Sequence, residues 1–387
     1  MLITRLKLKN WRNFKNVDIG LRERVYVIGP NASGKSNLLD VMRFLRDIAK
    51  PEGGGLQKAV KDRGGIKKLR CLLARKDPEV SIEVELAEKM DTDAVWRYTL
   101  SFRSEGKGQQ RLVVSKECVK NLSNDKVLLN RPDSSDKNDP DRLTETHLEQ
   151  INSNSAFRVV AEFFSAVTYL HLVPQLLKYA DQLGGYRLES DPFGQAFLER
   201  IAKIPEKTRD ARLTKIGEVL KVCVPNMSKL QFVRDKITGA PHLEALYEHW
   251  RPDAGWQRED QFSDGTLRLL GIMWSLLEGD SLLLLEEPEL SLNEDIVRQI
   301  HKLIWQMQRQ AKYRRQVFIT THSEALLQDK GIDPREVIRL EPTHDGTRAV
   351  EMSDTDKALV SAGYSIAEAI LPKVKPKHVE QLSLFKP

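Results

Sequence analysis

Residues 29–36, Gly-Pro-Asn-Ala-Ser-Gly-Lys-Ser, constrain this chain more than any other stretch, because the spacing G-x-x-x-x-G-K-S works only between a buried strand and a helix. The flanks supply both. Residues 24–29 read as a short apolar strand, and residues 35–49 carry apolar side chains at helical spacing. Glycines let the backbone wrap a phosphate chain, and the amides that open the helix bring donors and positive potential. Lys35 is expected to reach terminal phosphates and Ser36 to ligate Mg2+. Gly29, Pro30, Asn31, Ala32, Ser33, Gly34, Lys35, Ser36 and Asn37 are therefore the expected nucleotide contacts, with ATP and Mg2+ as cofactors.

A phosphate cradle needs acids to hold the metal's outer shell and to activate water. Residues 281–289, Ser-Leu-Leu-Leu-Leu-Glu-Glu-Pro-Glu, read as a buried strand ending in carboxylates, on a strand expected to neighbour the phosphate loop. Glu286 is the expected metal acid and Glu287 the residue that polarises the attacking water. Residues 316–323 form another apolar strand, ending in Thr321 and His322. His322 then stands where a γ-phosphate sensor would lie, although a lone histidine after a strand also serves as a capped surface group.

The rest of the chain sets the frame. Its 387 residues, 40% of them hydrophobic, suffice for a sizeable folded core. No window approaches the ~18 apolar residues of a membrane span, and Cys71, Cys118 and Cys223 lie too far apart for a zinc knot or a disulfide framework. A cytoplasmic protein with no membrane segment is expected. A net charge of +6 from 61 basic and 55 acidic residues describes a mixed surface, which permits nucleic-acid binding without establishing it. Residues 2–9 alternate as a half-buried strand; 51–70 read as a flexible basic loop; 79–86, 95–103 and 109–119 read as antiparallel strands of a small β-subdomain. Residues 131–142 mark a boundary in Asp, Asn, Ser and Pro, and helical spacing follows without sustained heptads. After residue 256, strand and helix signals alternate, as in a mostly parallel sheet covered by helices. The expected division is an N-terminal ATPase lobe over 1–130, a mainly helical insertion over 131–255, a C-terminal lobe over 256–371 and a flexible tail over 372–387.

Four motifs in order, Gly29–Ser36, Phe-Ser-Asp-Gly-Thr at 262–266, Leu-Leu-Leu-Leu-Glu-Glu-Pro-Glu-Leu-Ser-Leu-Asn at 282–293 and Val-Phe-Ile-Thr-Thr-His-Ser at 317–323, give the chain a resemblance to the ABC-type ATPase class, in particular its cytosolic RecF, SMC and OLD-like branch. The resemblance spans roughly 1–50 and 256–345. It implies an α/β ABC-ATPase head with a mixed sheet flanked by helices, an antiparallel β-subdomain and a helical insertion. It also implies a homodimer assembled head to tail, in which Ser263 and Gly265 of one subunit meet the γ-phosphate held by Gly34, Lys35 and Ser36 of the other, with Asp264 between them in the same nucleotide-site turn. Gln175, after an apolar run, matches the Q-loop glutamine or is a plain loop residue. The signature has Asp264 where transport cassettes usually have glycine. The first acid is Glu286 where Asp is usual, one methylene longer, and Asn293 replaces the usual Asp or His of the D-loop.

The long separation of Ser36 from Ser263 disfavours a transport cassette, the lack of heptads disfavours long coiled-coil arms, and too few residues follow Ser323 for a Toprim nuclease. Two functions are expected to compete. In one, the ATP-closed dimer binds DNA in repair or anti-phage defence, with residues 61–70 and 312–315 as basic contacts. In the other, it is a scaffold that controls a separately encoded nuclease or toxin. Gln381, Leu382, Ser383, Leu384 and Phe385 look like the pentapeptide with which bacterial DNA-processing proteins dock onto the sliding clamp; the same run also reads as a latch on the head itself.

Overall fold

The computed structural model describes residues 1–74, 76–105, 111–179, 193–251, 255–310 and 315–374. Its first sheet is antiparallel. Strand β1 (Leu2–Trp11) pairs with β2 (Phe14–Gly20) on one side and, skipping β3 (Arg24–Ile28), with β4 (Val80–Ala87) on the other. From β4 the sheet continues through β5 (Trp96–Ser104), β6 (Leu112–Asn121) and β7 (Lys126–Arg131). The strands expected to form a small antiparallel β-subdomain share one sheet with the N-terminal pair, because β1 presents Leu6 and Leu8 to the same core as Ile82 and Val84.

The second sheet is the mixed one. Strand β3 lies between β13 (Val317–Thr321) and β14 (Val337–Thr343), parallel to both; β13 continues to β12 (Leu283–Glu286) and β12 to β8 (Thr168–Leu170), again parallel. Strand β15 (Gly346–Glu351) closes the other edge antiparallel to β14. Both faces are covered, which is why these strands read as unbroken apolar runs. Val25 and Val27 face the core under the first sheet and the helix Lys35–Ala49, whereas Tyr26 and Ile28 face the helices Asp264–Leu277, Glu206–Cys223 and Ile300–Gln310.

The segment expected to be mainly helical, 131–255, carries strands as well. Its β8 extends the mixed sheet, and β9 (Met227–Arg234) and β10 (Pro241–Tyr247) form a three-stranded antiparallel sheet with β11 (Trp256–Arg258). Leu230, Leu243 and Ala245 bury one face of that sheet with Leu213, Ile216 and Leu220 of the helix Glu206–Cys223. The stretch expected as a basic loop also has structure: it holds helices Leu56–Asp62 and Ile66–Leu69, pinned where Arg63 donates to Asp40 and Asp47 at 2.9 Å. At the C-terminal end, the helix Ile366–Val374 runs through Pro372, where the expected tail begins. Pro372 lies in the last turn, where its missing amide gives up one bond, to the Glu368 carbonyl, and Ile366, Ala367, Ala369 and Ile370 are buried. Residues 375–387, with the Gln381–Phe385 pentapeptide, and residues 312–314 of the second basic run lie outside the described residues. Among the described residues no helix is long and apolar enough to cross a membrane.

Candidate nucleotide site

Strands β3, β12 and β13 end at the same side of the mixed sheet, and each is followed by a predicted site residue. After β3 the backbone turns through Ala32 (φ 62°) and Gly34 (φ 100°) into the helix that starts at Lys35. A side chain at Gly34 is excluded twice over, by the left-handed backbone and by Asn13, whose amide nitrogen would lie 2.2 Å from a Cβ there. That amide donates to the Ser33 carbonyl at 2.8 Å and to Thr347 Oγ1 at 2.8 Å, while Asn37 donates to Asn13 Oδ1 at 2.8 Å. The loop is thus held from outside by Asn13, and its own Ser33 amide donates to the Pro30 carbonyl at 3.1 Å.

Within the loop, Lys35 Nζ is buried and donates to the Gly29 carbonyl at 3.1 Å, and the buried Ser33 hydroxyl has no partner. Ser36 donates its hydroxyl to Glu286 Oε1. Glu286 is reached across β13, because β12 is next but one to β3 and not its neighbour as expected from the sequence. The second oxygen of Glu286 accepts from the Tyr169 phenol on β8, and His171 Nδ1 lies 3.3 Å from its carbonyl. Burial, followed by the Glu286 charge, pushes the Tyr169 phenol up, so it remains a donor. The Arg43 guanidinium covers the same ring at 4.2 Å.

Glu287 leaves β12 in a left-handed conformation (φ 43°), fixed by its amide donating to the Thr320 carbonyl at 3.0 Å. This turns its carboxylate toward β13, where His322 Nδ1 lies 3.3 Å from Glu287 Oε1. Behind the pair, buried Glu289 accepts from Thr321 Oγ1 at 2.6 Å and from the His322 amide at 3.3 Å; its other oxygen has no partner, and burial pushes this carboxyl up.

The signature turn forms a second group. Ser263 caps the helix Asp264–Leu277, accepting from the Thr266 amide at 3.1 Å, and a Cβ on Gly265 would meet the Ser291 carbonyl at 2.7 Å. Asp264 accepts from Gln175 Nε2 at 2.6 Å and from Lys178 Nζ at 2.7 Å. Among the described residues no hydrogen bond or ion pair joins Ser263, Asp264 or Gly265 to Gly29–Asn37 of the same chain. Gln175 lies on the helix Pro174–Lys178, and its side-chain amide holds Asp264 of the signature.

The donor set suits a polyphosphate with a hard divalent cation: a cradle of backbone amides, an ammonium and an unpartnered hydroxyl, and beside them one hydroxyl oxygen and one carboxylate. Sequence reasoning missed Asn13, Tyr169, Lys178 and Glu289. Glu289 at least stood in a quoted motif; the others carry no local signal, since each acts on a residue distant along the chain.

The family described as "AAA domain, putative AbiEii toxin, Type IV TA system" matches residues 25–328. The DNA replication and repair protein RecF of Roseiflexus castenholzii is 29% identical over 102 residues, 24% of this chain and 26% of that protein. RecF of Bacillus mycoides is 30% identical over 93 residues, 23% and 24% of the two chains. These matches span about a quarter of the length of either relative. Among solved structures, the SMC head bound to the C-winged helix domain of ScpA aligns over 92% of this chain and 99% of its own, with a TM-score of 0.57 at 15% identity. The SMC head with an extended coiled coil bound to the C-terminal domain of ScpA derived from Pyrococcus furiosus aligns over 93% and 98%, with a TM-score of 0.51 at 14% identity. The family match covers most of the chain and the fold is that of an SMC head: the chain belongs to this AAA-domain family, as an ABC-type ATPase of the RecF, SMC and OLD-like branch.

Proposed function

We propose that the chain binds and hydrolyses ATP with Mg2+, closes into a homodimer around the nucleotide, and couples that closure to DNA in repair or anti-phage defence. The observation that carries this reading is the convergence of Ser36 on Glu286 and of Glu287 on His322 at the ends of three parallel strands. In it, Lys35 exchanges the Gly29 carbonyl for the terminal phosphates. Ser36 and Glu286 hold the metal, which when bound neutralises phosphate charge. Tyr169 holds one oxygen of Glu286 and so orients the carboxylate with its other oxygen toward Ser36. Glu287 orients and polarises water, and His322 senses the γ-phosphate. Ser263 and Gly265 face the nucleotide of the other subunit, which accounts for an anion-binding turn that meets no phosphate loop in its own chain.

The test is Glu287→Gln, which should trap the ATP-bound dimer. Sedimentation should show monomers without nucleotide and dimers at saturating ATP; a variant whose mass does not respond to ATP would sink the composite site.

A second reading, a scaffold that controls a separately encoded nuclease or toxin, draws support from two arginines of the basic runs. Arg63 is committed to Asp40 and Asp47, and Arg315 is buried and donates to the carbonyls of Ser281, Ser275 and Glu278. Nucleotide-dependent DNA affinity that falls steeply with salt supports the first reading; its absence, with a co-purifying effector, supports the second.

A further inference from the structure

Asp264 is the first residue of the signature helix, at the positive end of fourteen aligned peptide units. A carboxylate is stable there for the same reason that a phosphate is, so the two compete for one field. Left unpaired, the Asp264 charge would stand beside the Ser263 hydroxyl and repel the γ-phosphate that the turn is proposed to receive.

The charge is not left unpaired. Lys178 Nζ lies 2.7 Å from Asp264 Oδ1, and Gln175 Nε2 donates to Oδ2 at 2.6 Å, so each carboxylate oxygen has its own donor. The Lys178 side chain is only 14% exposed and that of Asp264 32%, so the pair is partly shielded from water. Both donors sit on the short helix Pro174–Lys178, which follows β8. The same segment thus touches the metal acid through Tyr169 and the signature through Lys178.

We propose that Lys178 is the positioning residue that makes an aspartate tolerable in this signature: it neutralises Asp264 and draws the carboxylate off the helix end, leaving Ser263 and the Gly265 amide open to the partner's phosphate. The inference rests on the composite-site reading. It makes Lys178 necessary only while residue 264 is an acid.

The experiment uses the full chain in the Glu287→Gln background and reads the ATP-dependent dimer dissociation constant by sedimentation. Lys178→Met should raise that constant by about tenfold or more, the scale of an interfacial charge left without its partner. Lys178→Arg, which keeps the charge, should stay within about threefold of the parent. Adding Asp264→Asn to Lys178→Met should restore dimerisation to within about twofold, since the charge to be neutralised has gone. A merely structural role for Lys178 predicts no such rescue. Equal dimerisation of parent and Lys178→Met, or a defect that Asp264→Asn does not repair, overturns the role of Lys178 alone. A Glu287→Gln parent that ignores ATP overturns the composite site and this role with it.

Discussion

Two groups of carboxylates in this molecule are treated in opposite ways. In the first sheet, Glu117 is wholly buried and each oxygen is used twice: Oε1 accepts from the Tyr98 phenol and the Leu148 amide, Oε2 from Arg131 and the His147 amide. Asp136 accepts from the same Arg131 at 2.9 Å, a pairing that holds its carboxyl down at about 2 against the cost of burial. At the end of the mixed sheet, Glu287 touches a half-exposed histidine and Glu289 keeps one oxygen without a partner. A fully satisfied acid holds the fold together; a partly satisfied one has capacity left for a ligand.

Breaking the satisfied network should have the largest effect. Arg131→Met leaves Glu117 buried without its cation and Asp136 with only Arg142, 3.4 Å away, and should cost about 3–5 kcal/mol in urea unfolding. A loss below about 1 kcal/mol would erase the distinction. Lys35→Ala, by contrast, should weaken nucleotide binding by about 100-fold or more while shifting the unfolding free energy by less than about 1 kcal/mol, as calorimetric titration and urea unfolding can show together.

Glu149 is an intermediate case that sharpens the comparison. It accepts from the Leu56 and Thr146 amides at 2.9 and 2.5 Å, and burial pushes its carboxyl up to about 7. The folded chain therefore keeps a proton that the unfolded chain releases near 4.5. Stability contributed by this group is present below that range and is lost as pH rises toward 7, by about 3 kcal/mol at most. Glu149→Gln should flatten that slope in unfolding measured from pH 4.5 to 8; an unchanged slope assigns the titration elsewhere. The smallest effect is expected for His322→Ala, about tenfold in turnover with nucleotide affinity nearly intact. Equal losses in both would count against a sensor.

The strand, turn and helix around Gly29–Ser36 were legible because their determinants are local and contiguous in the sequence. The strand ends at Glu287 and His322 were legible as patterns, but their order in the sheet was not, since apolar runs do not reveal that β13 separates β3 from β12. Nor could alternation in residues 2–9 show that β1 pairs with residues 80–87 and merges two apparent units into one sheet. The strands within 131–255 escaped notice because Met227–Arg234 has no clean alternation: its burial follows the helix Glu206–Cys223 packed against it. Tyr169 and Lys178 work on Glu286 and Asp264 through tertiary contact alone, and a single sequence carries no mark of such pairs.

The buried Gln316 side chain joins distant parts of the chain: it accepts from the Ile3 amide and donates to the carbonyls of Ile3 and Arg22, up to 313 positions away. That contact sets a timetable. During synthesis the phosphate loop emerges early, but Glu286 follows Ser36 by 250 positions, a delay of roughly 10 to 50 s at ordinary elongation rates. Until then β3 has neither of its flanking strands, β13 and β14, and both of its edges stay open to other chains. The nascent N-terminal half can pair only the antiparallel strands around β1, and β3 is exposed to aggregation while the strands that complete its sheet are still being made.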